Sequence, residues 1–159
     1  MEQILRALQR DARLTPAEIA AETGRGEDEV RALIAEAEAR KLILSYGAKV
    51  NWEEAGRARI YALVEMKVHP QEHVGYKAIA SRISRFGAVR TCYLMSGEKD
   101  LAVIVEGETM HEISDFVGEK LATLHGVEST VTHVIMRRHK EDGVMLEAAP
   151  DEDRQAVVL

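Results

Sequence analysis

Ile4, Leu5 and Leu8 recur at helical spacing among good helix formers, so the chain opens on a short amphipathic helix ending near Ala12 or Arg13. Thr15-Pro16-Ala17-Glu18 then places a hydroxyl at the cap, proline at the first helical position and a carboxylate three residues after the cap. That is a capping box, and it starts a second helix that turns Ile19 inward. Gly24 and Gly26 supply the break expected of the tight turn in a helix-turn-helix. A third helix is predicted from about Glu27 to Lys41, with Val30, Leu33, Ile34 and Ala37 as its apolar stripe. After it, two short β-prone runs around Gly47, within Leu42 to Asn51, suit a wing or a connecting strand.

The pattern changes beyond residue 59. Ile60 to Val68 is an aliphatic and β-branched run closed by Pro70, and Tyr76, Ile79, Ile83 and Phe86 then recur at helical spacing up to Gly87. Val89 to Met95 and Leu101 to Val105 read as two strands of a hairpin joined by Ser96-Gly97-Glu98-Lys99-Asp100. Thr109-Met110-His111-Glu112 is a second capping box, and the helix it opens buries Ile113, Val117, Leu121 and Leu124 before Gly126. A last strand runs from Val127 to Arg137. The order is βαββαβ, so the fold class is α+β: a winged helix-turn-helix followed by a ferredoxin-like domain with both helices on one face of an antiparallel sheet. The boundaries are 1–52 for the first domain, 53–59 for a linker, 60–142 for the second domain and 143–159 for an acidic tail containing Asp151-Glu152-Asp153.

That topology leaves one sheet face uncovered. Aliphatic side chains from its strands would be exposed there, and association is the usual remedy, so the second domain is expected to dimerise through its open sheet face. Composition agrees with a folded chain: 46% of residues are hydrophobic and 30% charged. A single cysteine, Cys92, excludes an intrachain disulfide, and no signal-peptide pattern or apolar run of membrane-spanning length is present. These features predict a cytoplasmic protein with no membrane partner.

In order and spacing, several segments together resemble the Lrp/AsnC (feast/famine) family of bacterial and archaeal regulators. They are Leu14-Thr15-Pro16-Ala17-Glu18-Ile19-Ala20, Gly47-Ala48-Lys49-Val50-Asn51, Ser96-Gly97-Glu98-Lys99-Asp100-Leu101, Phe116-Val117 through Leu121, and Gly126-Val127 with Ser129-Thr130-Val131-Thr132. The resemblance covers roughly residues 2 to 142. It implies a transcriptional regulator with a C-terminal RAM-type domain that binds an amino acid or related effector between dimers, assembled as a homodimer or an octamer. The effector residues it implies are Ser96, Gly97, Asp100 and Leu101 in the hairpin, with Ser129, Thr130 and Thr132 as a hydroxyl-bearing wall from another subunit. Glycine lets backbone amides approach a carboxylate, and aspartate can meet an α-ammonium group. The plainer reading is that Gly97 and Asp100 only close a hairpin. For operator DNA the implied contacts are Arg13, Thr15, Arg25, Arg31 and Lys49.

Charge argues against easy DNA binding. The net charge is -6, and residues 1 to 59 hold 10 Lys and Arg against 11 Asp and Glu. The predicted recognition helix begins Glu27-Asp28-Glu29, which suits the helix macrodipole but repels phosphate. A second reading therefore stands beside the first: an oligomeric metabolite-binding scaffold of the same fold that has lost direct DNA binding. A third, a haem-pathway decarboxylase-like enzyme, shares the architecture, but its histidine and arginine cluster is missing around Tyr46 to Gly56. No catalytic residue, cofactor or metal is expected: Pro70 separates His69 from His73, and Cys92 reads as an apolar strand thiol.

Overall fold

The computed structural model describes residues 1–70 and 75–146. His73 and the acidic tail from 147 onward, with Asp151-Glu152-Asp153, lie outside the described residues. The chain divides into two compact units, one through Val50 and one from Asn51 onward.

The first unit holds α1 (Glu2–Arg10), α2 (Pro16–Thr23) and α3 (Glu27–Ala39). Its core is Ile4, Ala7, Leu8, Ile19, Ala20 and Val30, with Leu14, Leu33, Ile34 and Ile43 packed against it. The capping box forms in full: the Glu18 carboxylate accepts from the Thr15 backbone N–H at 2.7 Å, and the Thr15 hydroxyl accepts from the Glu18 N–H at 3.3 Å. Because Glu18 is hydrogen-bonded as a carboxylate by the Thr15 amide and hydroxyl, its pKa lies below the usual carboxylate range.

Past α3 the structure departs from the sequence expectation. Residues 42–51 form no strand, and Leu42, Leu44, Tyr46 and Val50 are exposed. A lone two-stranded ribbon is marginal in water without a surface to pack on. Here only Ile43 reaches the core, and Tyr46 instead donates its hydroxyl to Glu38 of α3 at 2.8 Å.

The second unit carries β1 (Ile60–Val68), α4 (Gly75–Ile83), β2 (Val89–Leu94), β3 (Leu101–Gly107), α5 (Met110–Asp115) and β4 (Val127–Ile135). The sheet order is β2-β3-β1-β4 with every pairing antiparallel, which is the ferredoxin-like arrangement. Strand alternation sorts β1: Ala62, Val64, Met66 and Val68 join Leu101, Val103 and Val105 of β3 in a core roofed by Ile79, Ile83, Ile113, Val117 and Leu121. The opposite face holds Leu63 beside Ile104 and Glu65 beside Ala102.

The helix predicted after Thr109 is not α-helical throughout. Phe116–Leu121 continue α5 as a π-helical segment, closed by a bond from the Ala122 N–H to the Val117 carbonyl at 2.8 Å. Apolar residues four apart drift by about 40° per step around an ideal α-helix. The wider turn offsets that drift, so Ile113, Val117 and Leu121 all stay on the sheet. The cap is also only half a box. Thr109 accepts from the Glu112 N–H at 3.1 Å, while the Glu112 carboxylate reaches back to the Glu108 N–H at 2.8 Å.

A further hairpin was not anticipated: β5 (Lys140–Glu141) and β6 (Val144–Met145), joined by Asp142-Gly143 at φ of 45° and 86°. An Asp-Gly pair with both residues at positive φ is the two-residue turn that matches strand twist. The guanidinium of Arg138 lies 3.8 Å from the centroid of the Tyr61 ring, covering one end of the otherwise open sheet face.

Replacing Thr15 by Ala removes the hydroxyl of a fully formed cap. The expected loss is about 1 kcal/mol of stability, measured by urea denaturation.

Candidate effector site and DNA-facing helix

The pairing of β1 with β3 ends at Met66 and Leu101, which leaves the amide of Val68 without a ladder partner on that side. Asp100 fills the gap. Its backbone N–H donates to the Met66 carbonyl at 2.9 Å, and its carboxylate accepts from the Val68 N–H at 2.9 Å. The Lys67 ammonium stands 3.3 Å from the same carboxylate, and the Tyr76 hydroxyl of α4 donates to it at 3.4 Å. Asp100 is buried, and its pKa is held below the usual carboxylate range, chiefly by the Val68 N–H, with Lys67 and Tyr76 adding to the shift against the opposing effect of burial.

The rest of the loop is open. Ser96, Gly97 and Glu98 are exposed, and Gly97 has φ of 133°, a conformation that a side chain would strain. Leu101 is fully buried and belongs to the core, so it anchors the loop from below. The β4 register separates the three hydroxyls expected to form a wall. Ser129 pairs with Lys67 on the open face, whereas Thr130 and Thr132 pair with Met66 and Val64 on the helix-covered face. Within one chain the structure therefore gathers Lys67 and Tyr76 on the Asp100 carboxylate, leaves Ser129 beside Lys67 on β4, and turns Thr130 and Thr132 to the other side. Sequence reasoning missed Lys67 and Tyr76, which reach the carboxylate from the end of β1 and the start of α4, elements remote from the loop in sequence.

In the first unit, Glu27, Asp28 and Glu29 form an exposed acidic first turn of α3. Two of the three arginines expected at DNA are engaged with this turn. Arg25 pairs with Glu29, and Arg31 pairs with Glu27 at 2.6 Å. Arg6 pairs with Glu2 at 2.7 Å, Arg10 with Glu22 at 2.8 Å and Arg40 with Glu36 at 2.7 Å. Thr15 spends its hydroxyl on the cap; the Arg13 backbone N–H donates to Asp11 at 2.9 Å, and Lys49 lies in the segment past α3. Exposed pairs of this kind contribute little to stability, so a phosphate can compete for the cation, but the carboxylate left behind stays beside it.

The remaining candidates behave as ordinary structure. Cys92 packs partly against the core, and burial raises its thiol pKa, away from a reactive thiolate. Among the described residues no group of three His, Cys, Asp or Glu is placed to hold a metal ion, and no helix is long and apolar enough to cross a membrane.

Comparison with known proteins decides the family. The Lrp/AsnC ligand binding domain model matches residues 61–145, and a winged helix-turn-helix DNA-binding model matches residues 2–43. The chain belongs to the Lrp/AsnC family. This Lrp/AsnC regulator is 38% identical over 157 residues to an uncharacterized HTH-type transcriptional regulator, YugG, of Bacillus subtilis, covering 98% of this chain and 94% of the relative. Its fold is shared by the leucine response regulatory protein LrpA of Mycobacterium tuberculosis, at a TM-score of 0.74 and 22% identity over 91% of this chain and 96% of that one. It is shared too by a transcriptional regulator from Neisseria meningitidis solved as a complex with L-Met, at a TM-score of 0.71 and 20% identity over 91% and 93% of the two chains. The Lrp/AsnC relatives are transcriptional regulators, not enzymes, which leaves the decarboxylase-like alternative without support.

A lowered folded-state pKa at Asp100 means that its stabilisation is complete above the ordinary carboxylate pKa and is lost as pH falls through the lowered folded value. Asp100→Asn is therefore expected to unfold at lower urea than the wild type at pH 7, with the gap narrowing below about pH 4.

Proposed function

We propose that this Lrp/AsnC regulator binds operator DNA through α3 and senses an amino acid or related small metabolite at the Ser96–Asp100 loop. Binding would shift the association or relative orientation of dimers and so change the spacing offered to operator half-sites. The observation that carries the effector half is the loop itself: an exposed glycine turn with open backbone, set directly against a buried, ionised aspartate. The solved Neisseria relative, crystallised with L-Met, supports an amino acid as the class of ligand. Ser96, Gly97 and Asp100 supply the first wall, Leu101 its base, and Ser129 a hydroxyl beside Lys67 on the same chain. Thr130 and Thr132, on the other face of β4, serve a neighbouring subunit.

We place the subunit contact at the open sheet face, with a second copy of this chain as its occupant. Leu63, Ile104, Ala102 and Val131 share that face, and neither helix covers it. Val131 is 39% exposed there. Val131→Asp places a charge in the contact and is expected to convert the assembly to monomer by mass measurement in solution; an unchanged mass places the contact elsewhere.

The ion-paired arginines of the first unit favour a second reading, a metabolite-binding assembly without direct DNA contact. A salt series on DNA from upstream of its own gene separates the two, since phosphate contacts give a steep salt slope and the scaffold gives no binding at low salt. In the DNA-binding case, replacing Glu27 and Glu29 together by Gln releases Arg31 and Arg25 and removes two repulsive charges. Affinity at low salt is then expected to rise by about tenfold or more, whereas an unchanged affinity takes α3 out of the interface.

A further inference from the structure

The Asp100 carboxylate is unevenly satisfied. One oxygen, Oδ2, holds the Val68 N–H at 2.9 Å, a normal bond. The Lys67 Nζ stands 3.3 Å from Oδ2 and 3.3 Å from Oδ1, and the Tyr76 hydroxyl reaches Oδ1 at 3.4 Å. Charge-assisted bonds usually lie at about 2.7–2.9 Å, so Oδ1 carries only long contacts and keeps capacity for a closer donor. Its cationic neighbour is also free to leave. The Lys67 side chain is 38% exposed, projects on the open face beside Ser129, and hangs on a flexible four-carbon stem.

We propose that Lys67 is the carboxylate-binding residue of the effector site, and that in the unliganded chain its ammonium stands in for the ammonium of the effector on Asp100. The inference rests on the effector reading above and deepens it by fixing the chemistry of the ligand. An α-amino acid brings both charges on one carbon. Its ammonium takes Asp100 Oδ1, its carboxylate takes the released Lys67 Nζ, and one ion pair is exchanged for two with no change in net charge. A 2-oxo acid lacks the group that replaces Lys67 on Asp100, and would set an anion beside that carboxylate. An α-carboxamide displaces Lys67 but leaves its ammonium without a partner. The site therefore selects the zwitterion over either half of it, and the hydrophobic or polar character of the ligand side chain is read elsewhere.

The test uses the full-length assembled protein and titration calorimetry with the twenty L-amino acids, followed by the α-carboxamide and the 2-oxo acid of each one that binds. The wild type is expected to prefer the amino acid over both analogues by about tenfold or more, the scale of a lost charge-assisted hydrogen bond. In Lys67→Gln the preference over the carboxamide is expected to collapse to within about twofold, and Lys67→Arg is expected to restore part of it. Thermal unfolding of each variant at the wild-type temperature confirms that the fold is intact. A Lys67→Gln protein that keeps the full preference overturns the role of Lys67 while leaving the effector site standing. A wild type that binds no amino acid overturns the effector reading and this inference together.

Discussion

Everything in the second unit hangs on the two-residue period of β1. It is flanked on both sides, by β3 and β4, so its register fixes at once which side chains meet the helices and which meet the outside. Ala62, Val64, Met66 and Val68 point one way and are almost completely buried. The intervening positions then have to form the other face, and the mixture found there follows: Leu63 and Ile104 beside a Glu65 carboxylate hydrogen-bonded to His133 at 3.0 Å. A slip of one residue would exchange the two sets, drive Glu65 and Lys67 under the helices and expel Val64 and Met66. The same register carries Asp100 to the one amide at the end of β1 that lacks a partner.

Much of this was legible from sequence because the signals were periodic or chemically unambiguous. Ile60 to Val68 reads as a strand and is one, with identical ends. Thr15 and Glu18 state a capping box that forms on both sides. What escaped lacked a period of its own. The π-helical turn at Phe116–Leu121 is written in apolar residues four apart, which fit an α-helix almost as well. The Asp142-Gly143 hairpin spans only two residues per strand, too short for alternation to register, although its turn chemistry was present. The strand expected within Leu42 to Asn51 erred in the other direction: β-prone residues there describe a preference, and with no strand to pair against in one chain it went unrealised.

The site was legible in part. The sequence pointed to the loop and to Asp100, but it could not show that Lys67 and Tyr76 converge on that carboxylate from a strand and a helix remote in sequence. Nor could a run of Ser129-Thr130-Val131-Thr132 announce how its hydroxyls divide, until the pairing with β1 assigned each residue a face. In the first unit the acid in α3 was visible as composition. Its consequence, that Arg25 and Arg31 are tied to Glu29 and Glu27, needed coordinates, because the spacing of four permits such pairs without requiring them.

The sheet ends in β2 on one side and β4 on the other, and both outer strands are rich in apolar residues without a proline to interrupt them. Tyr93, Leu94, Val131 and Val134 stand exposed along them, and among the described residues no further strand pairs with either. Unprotected margins of this kind are templates for adding another strand. The sheet thus carries apolar side chains at both of its lateral edges as well as across its uncovered face.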